Sequence, residues 1–147
     1  MGTACLWLVW GFFAWEWNRV SHCDSPLGTW DINRPVVCLG DSLTSGLIPE
    51  PGYPEQLKRM INAPVINLGQ SGITTSSGVN RLQRVLAHEP QVVIIELGGH
   101  DFLREESRAS TKANLQELID ECRKAGAEVV LFEIPRGFII DRFRGLE

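Results

Sequence analysis

Apolar positions in this chain fall into two alternating patterns. Four short, nearly continuous runs of aliphatic and β-branched residues each end in glycine or proline. They are Pro35-Val36-Val37-Cys38-Leu39 before Gly40, Pro64-Val65-Ile66-Asn67-Leu68 before Gly69, Gln91 to Leu97 before Gly98, and Ala127 to Ile134 before Pro135. Runs of this length, apolar on both alternating faces, predict strands buried on both sides, as in a parallel sheet. Between them the apolar positions recur every three or four residues, the period of a helix stripe. Tyr53 to Ile61 carries Leu57, Met60 and Ile61, and Thr74 to His88 carries Val79, Leu82, Val85 and Leu86 before Pro90 stops it. A third helix, capped by Ser110 or Thr111, carries Leu115, Leu118, Ile119 and Cys122 and closes with Lys124 and Gly126. Strand and helix alternation of this kind predicts an α/β fold, a three-layer α/β/α sandwich around a parallel sheet.

The amino terminus breaks the pattern. Residues Gly2 to Trp15 carry no charge and hold three tryptophans and two phenylalanines. The stretch is shorter than the roughly 20 residues a spanning helix needs, and it lacks a basic leader and an A-x-A cleavage site. Its tryptophans suit a membrane interface. Residues 1–17 are therefore expected to be a membrane anchor or export signal, placing the protein at a membrane or outside the cytoplasm. An apolar arm packed on a cytoplasmic domain is the alternative. Residues 18–34, with Ser-Pro, Gly28 and Asn33 and no periodicity, read as a linker into a domain covering 35–147.

Composition narrows the chemistry. A net charge of −4 with no basic stripe argues against a nucleic-acid partner. The four cysteines show no C-x-x-C pairing, which leaves zinc and dithiol chemistry without a motif. Cys38 and Cys122 fall in a strand and on a helix face, where a buried small hydrophobe is expected. No cofactor or metal is indicated.

Three polar loops that contain or follow glycine come after three of the predicted strands: Asp41-Ser42, Gly69 to Gly72, and Gly98 to Asp101. In a flavodoxin-like strand order they lie side by side at the carboxyl edge, where open α/β sheets bind ligands. Ser42 is the candidate nucleophile. Gly72 presents a backbone N–H that no Cβ obstructs, and His100 has a ring N–H able to reach the same oxygen. Taken singly, each is an ordinary turn or cap residue. Their recurrence at one edge is what points to acyl transfer, in which a base activates a hydroxyl and donors receive an oxyanion.

The residues that carry this reading also carry a family resemblance. Gly40-Asp41-Ser42-Leu43 resembles the first block of the SGNH/GDSL hydrolases. Asn67-Leu-Gly-Gln-Ser-Gly72 is similar to the second block, and Glu96-Leu-Gly-Gly-His-Asp101, followed by Phe-Leu-Arg104, to the third, Gly-x-Asn-Asp. The run from Val65 through Arg104 looks closest to the thioesterase I/lysophospholipase L1 branch. The resemblance implies an SGNH hydrolase fold and a small acyl ester or thioester as substrate. It also implies Ser42 as nucleophile, Gly72 as oxyanion donor and Asp41 as a supporting residue that shapes the loop.

The chain departs from the family pattern twice. His100 stands where the family has asparagine; a neutral imidazole still donates one hydrogen bond, so an oxyanion role is retained with a pH dependence. No Asp-x-x-His, the family's source of the general base, occurs in the sequence; its histidines are His22, His88 and His100. Asp141-Arg-Phe-Arg144 has arginine at the place of the base, and arginine stays protonated. Since the last predicted helix simply stops, the expectation is a carboxyl-terminally truncated domain lacking the last strand and helix. Two other readings stay open. One is a complete homologue that is non-catalytic, binding without turnover, or weakly catalytic with His100 directly as a base to Ser42. The other is a receiver-like domain holding Mg²⁺ between Asp41 and Asp101.

Overall fold

In the computed structural model, residues 31–47 and 50–133 are described. The hydrophobic segment 1–17, most of the 18–34 linker and the chain from Ile134 onward lie outside them. No helix among the described residues is long and apolar enough to cross a membrane.

Four parallel strands form the sheet: β1 (Val36–Gly40), β4 (Val65–Asn67), β5 (Val92–Glu96) and β6 (Glu128–Leu131). Their spatial order is β4-β1-β5-β6. β1 is central, pairing Val36 with Val65 on one side and with Val92 on the other, so that Gly40 lies opposite Glu96. The chain reverses its direction of travel across the sheet between β1 and β5, the switch point at which such sheets open a crevice.

Period-two alternation sends the two faces of β1 and β5 into separate cores. Val37, Leu39, Val93 and Ile95 pack with Leu82, Val85, Leu118 and Cys122 from α3 (Thr75–Asn80), α4 (Leu82–Leu86) and α6 (Arg108–Lys124) and their junctions. Val36, Cys38 and Ile94 face Tyr53, Leu57 and Ile61 of α2 (Tyr53–Met60) and its end. The result is the expected three-layer α/β/α arrangement. Asp31 to Arg34 also belong to this body. The Gln91 amide donates to the carbonyls of Asp31 (2.7 Å) and Arg34 (2.6 Å), and the Arg34 guanidinium donates to Pro90 O (2.7 Å).

The elements differ from the sequence expectations at five places. The single helix expected over Thr74 to His88 is two, because Thr-Ser-Ser-Gly-Val-Asn is a run of weak helix formers and the chain restarts at Arg81. Ser107, not Ser110 or Thr111, caps α6: its Oγ accepts the Ser110 N–H at 3.0 Å, while Thr111 Oγ1 turns back to donate to Ser107 O. Two stretches expected as loops contain single helical turns, α1 (Ser42–Ser45) and α5 (Gly99–Leu103). Finally, the break around Pro49 forms a small antiparallel pair, β2 (Gly46–Leu47) with β3 (Glu50–Pro51), too short and too rich in Gly and Pro to read from periodicity.

The larger core sets stability. Leu118, fully buried between α6 and the sheet, should cost about 2–5 kcal/mol when cut to alanine, whereas Met60→Ala, at an 80% exposed position, should change stability by about 0.5 kcal/mol or less. Urea unfolding of the two variants checks this; equal losses would contradict the assignment of the core.

Candidate active site

Ser42 opens α1 directly after β1. Asp41 caps the turn, its Oδ1 accepting the Leu43 N–H at 3.0 Å while its carbonyl accepts the Ser45 N–H at 2.9 Å. Ser42 itself is half-buried. Thr44, fully buried two residues on, is the anchor of the turn: its hydroxyl donates to Glu96 Oε2 at 2.9 Å. Its carbonyl accepts the Asn67 side-chain amide at 3.0 Å. Gly40 is required by this approach, because a Cβ there would run into the Thr44 side chain and lie 2.8 Å from Glu96 O.

The second loop is zipped to the first. Leu68 N–H donates to Cys38 O (2.8 Å) and Gln70 N–H to Gly40 O (3.0 Å), extending the β4–β1 ladder beyond the strand. Gly72 then adopts φ +80°, a left-handed conformation that favours glycine, and nothing lies within 4 Å of where a Cβ would stand. Backbone shape rather than crowding calls for glycine here, and the face beside it is open.

The third loop holds the second. Gly98, at φ +118°, turns the chain into α5, which places half-buried His100 and buried Asp101 at the carboxyl end of β5. The Asp101 carboxylate accepts the Thr75 N–H at 2.8 Å and the Thr75 hydroxyl, and Asn114 donates to that same hydroxyl oxygen at 3.0 Å. Arg104 reaches back to donate to the carbonyl of Gly72 at 2.9 Å. The second loop is therefore bonded to the first and, through Arg104 and Asp101, to the third segment, while the Ser42 turn is bonded to Glu96 at the end of β5. Ser42, Gly72 and His100 share one edge of the sheet. Among the described residues no hydrogen bond joins the Ser42 hydroxyl to the His100 ring. His88 lies in the turn between α4 and β5, at the opposite edge of the sheet, and His22 lies outside the described residues.

Beneath Ser42 sits a buried polar group that the sequence reading quoted only as part of a motif. Glu96 is 3% exposed, and its Oε1 has no hydrogen-bond partner. Burial, then the charge of Asp41, pushes its carboxyl up to about 7. The Tyr53 hydroxyl is buried in the same pocket, and burial followed by the neighbouring Cys38 thiol drives it well above its ordinary range. A charged residue inside the run Val-Val-Ile-Ile-Glu-Leu was the available signal. Thr44, Thr75 and Arg104 gave none, being ordinary polar residues in polar stretches.

A separate apolar cavity of about 510 Å³ lies along α5, α6 and β6, lined by Phe102, Leu115, Ile119 and Leu131. It meets the third loop at Gly98 but includes none of Ser42, Gly72 and His100.

Asp101→Ala should cost about 2–4 kcal/mol, because the buried Thr75 N–H loses a charged acceptor, whereas Asp101→Asn should cost less. Chemical denaturation tests the order. The raised carboxyl of Glu96 has a definite sign for stability. The folded state holds the proton more tightly than the unfolded chain, so the contribution is complete below about 4.5 and is lost as pH rises through about 7. Melting temperatures of the protein and of Glu96→Gln across pH 4 to 8 should diverge over that window, with Glu96→Gln the flatter curve.

The chain is similar to known proteins along most of the described body. Residues 38–145 match the model of the GDSL-like lipase/acylhydrolase family. The chain is 35% identical over 109 residues to esterase TesA of Pseudomonas aeruginosa, covering 69% of this chain and 54% of that protein. It is 34% identical over 104 residues to thioesterase 1/protease 1/lysophospholipase L1 of Escherichia coli K12, covering 67% and 50%. The crystal structure of AlinE4, an SGNH-hydrolase family esterase, superposes with a TM-score of 0.62 at 33% identity, covering 75% of this chain and 65% of that one. The chain thus spans about half the length of the curated relatives it matches.

Proposed function

Because the chain belongs to the GDSL-like lipase/acylhydrolase family, we propose that it carries the nucleophile and oxyanion side of a serine hydrolase acting on small acyl esters or thioesters. Ser42 Oγ adds to the substrate carbonyl, and the carbonyl electrons move to its oxygen. Gly72 N–H and the His100 ring N–H hold that oxyanion. Its collapse expels the alcohol or thiol and leaves an acyl-serine, which water hydrolyses by the same route in reverse. Asp41 supports the step by capping the turn that carries Ser42. The observation that supports this reading most is the hydrogen bonding that holds the Ser42 turn to the second loop and to the end of β5, and the second loop to Arg104, at one sheet edge, with Ser42 and an open-faced Gly72 on neighbouring loops. The relatives named as esterases and a thioesterase agree with it in substrate class.

The proton from Ser42 needs an acceptor. The sequence contains no Asp-x-x-His. His100 is assigned to the oxyanion, so the reading assigns the general base to no residue of this chain. A second reading follows from that fact: a homologue that binds acyl compounds without turning them over.

A fluorophosphonate probe, with imidazole in the buffer as proton acceptor, distinguishes the two. The hydrolase reading expects a phosphonyl adduct on Ser42, none in Ser42→Ala, and a rate lower by about 10²–10³ in His100→Ala, the usual cost of one oxyanion donor. Equal labelling of Ser42→Ala overturns it. A rise in melting temperature with an acyl ligand, together with no adduct, favours the binding protein.

A further inference from the structure

Glu96 touches the Ser42 turn on both of its flanks. Its backbone carbonyl accepts the Asp41 N–H at 3.3 Å, and its side chain accepts the Thr44 hydroxyl at 2.9 Å. Asp41 and Thr44 are the residues immediately before and two after Ser42, and both are buried, at 4% and 0% exposure. The strand register puts Gly40 opposite Glu96, and the absence of a side chain at Gly40 is what lets the Thr44 hydroxyl reach down to the carboxylate. One strand residue thus clamps a single helical turn, which is too short to hold its own shape by main-chain bonding.

The clamp is incomplete while Glu96 is ionised. Oε1 is buried with no partner, and the Asp41 carboxylate beside it repels a second negative charge. Of the other groups that face this pocket, Cys38 from β1 and Tyr53 from α2 are both held neutral by burial. On the β6 side, Phe132 lays its ring against Tyr53 at 5.1 Å between centroids, and Glu133 is exposed. A proton on Glu96 relieves the repulsion and turns the orphaned oxygen into a donor, while the other oxygen still accepts from Thr44.

We propose that Glu96 is a positioning residue for the Ser42 turn, and that gain of a proton at Glu96 locks the turn by tying its Asp41 and Thr44 flanks together. The inference takes Ser42 as the reactive hydroxyl, but the bridge itself is a statement about the turn. The burial that raises the Glu96 carboxyl places the change within the neutral pH range.

Nuclear magnetic resonance on the whole chain tests it without any need for activity. The backbone amide signals of Leu43 and Ser45, whose N–H groups donate to Asp41, should move with a single midpoint near 7. The side-chain carboxyl carbon of Glu96 should titrate with the same midpoint. In Glu96→Gln, where the amide both donates and accepts, the two amides should stay near their low-pH positions at every pH. His100→Gln should keep the titration, which separates Glu96 from the imidazole. The proposal is overturned if the amides do not move between pH 5 and 8.5, if they move while the Glu96 carboxyl does not, or if the movement survives in Glu96→Gln. Failure of Ser42 to take a fluorophosphonate label, with these titrations intact, counts against the hydrolase reading and not against the bridge.

Discussion

Two buried carboxylates at the end of one strand hold this molecule's candidate site together. Glu96 binds the turn that carries Ser42, and Asp101 binds the start of the helix behind Gly72. Buried polar groups are costly unless they are hydrogen-bonded, so both acids depend on the donors that the neighbouring segments supply. The dependence runs in both directions. The loops need the acids for shape, and the acids need the donors of the loops for their presence in the interior.

The parallel sheet makes this mutual dependence possible. With β1 central and β4 and β5 on either side, three carboxyl-end loops emerge along one edge of the sheet. Leu68 and Gln70 prolong the β4–β1 ladder, and Asn67 reaches across to Thr44. Glycines stand where the backbone must come close or turn left-handed. Gly40 admits the Thr44 hydroxyl, and Gly72 provides a positive φ beside open space. The loops are thus a hydrogen-bonded extension of the sheet.

Most of the architecture was legible from residue pattern alone, because strands buried on both faces leave unbroken apolar runs and their helices leave three- and four-residue stripes. Leu115, Leu118 and Cys122 pack as their spacing indicates. The short turns escaped, since α1 and α5 are single turns set by Asp41 and Gly98 rather than by any period. The helix after Gly72 was read as one piece because its apolar stripe continues through a break that involves only the backbone at Arg81. At the site, the positions of Ser42, Gly72 and His100 at one edge followed from topology. The clamps did not: Thr44, Thr75 and Arg104 act through tertiary contacts with residues 26 to 52 positions away, which no local pattern encodes.

The family domain spans about half the length of its curated relatives. Peptide-resolved mass spectrometry of the protein, acid-quenched during exposure to an activated acyl thioester with imidazole in the buffer as proton acceptor, tests most directly the proposal that Ser42 is the acyl acceptor. One acyl group is expected on the peptide containing Ser42 and none on the same peptide of Ser42→Ala. Acylation scattered over lysines, with Ser42 unmodified, would contradict it.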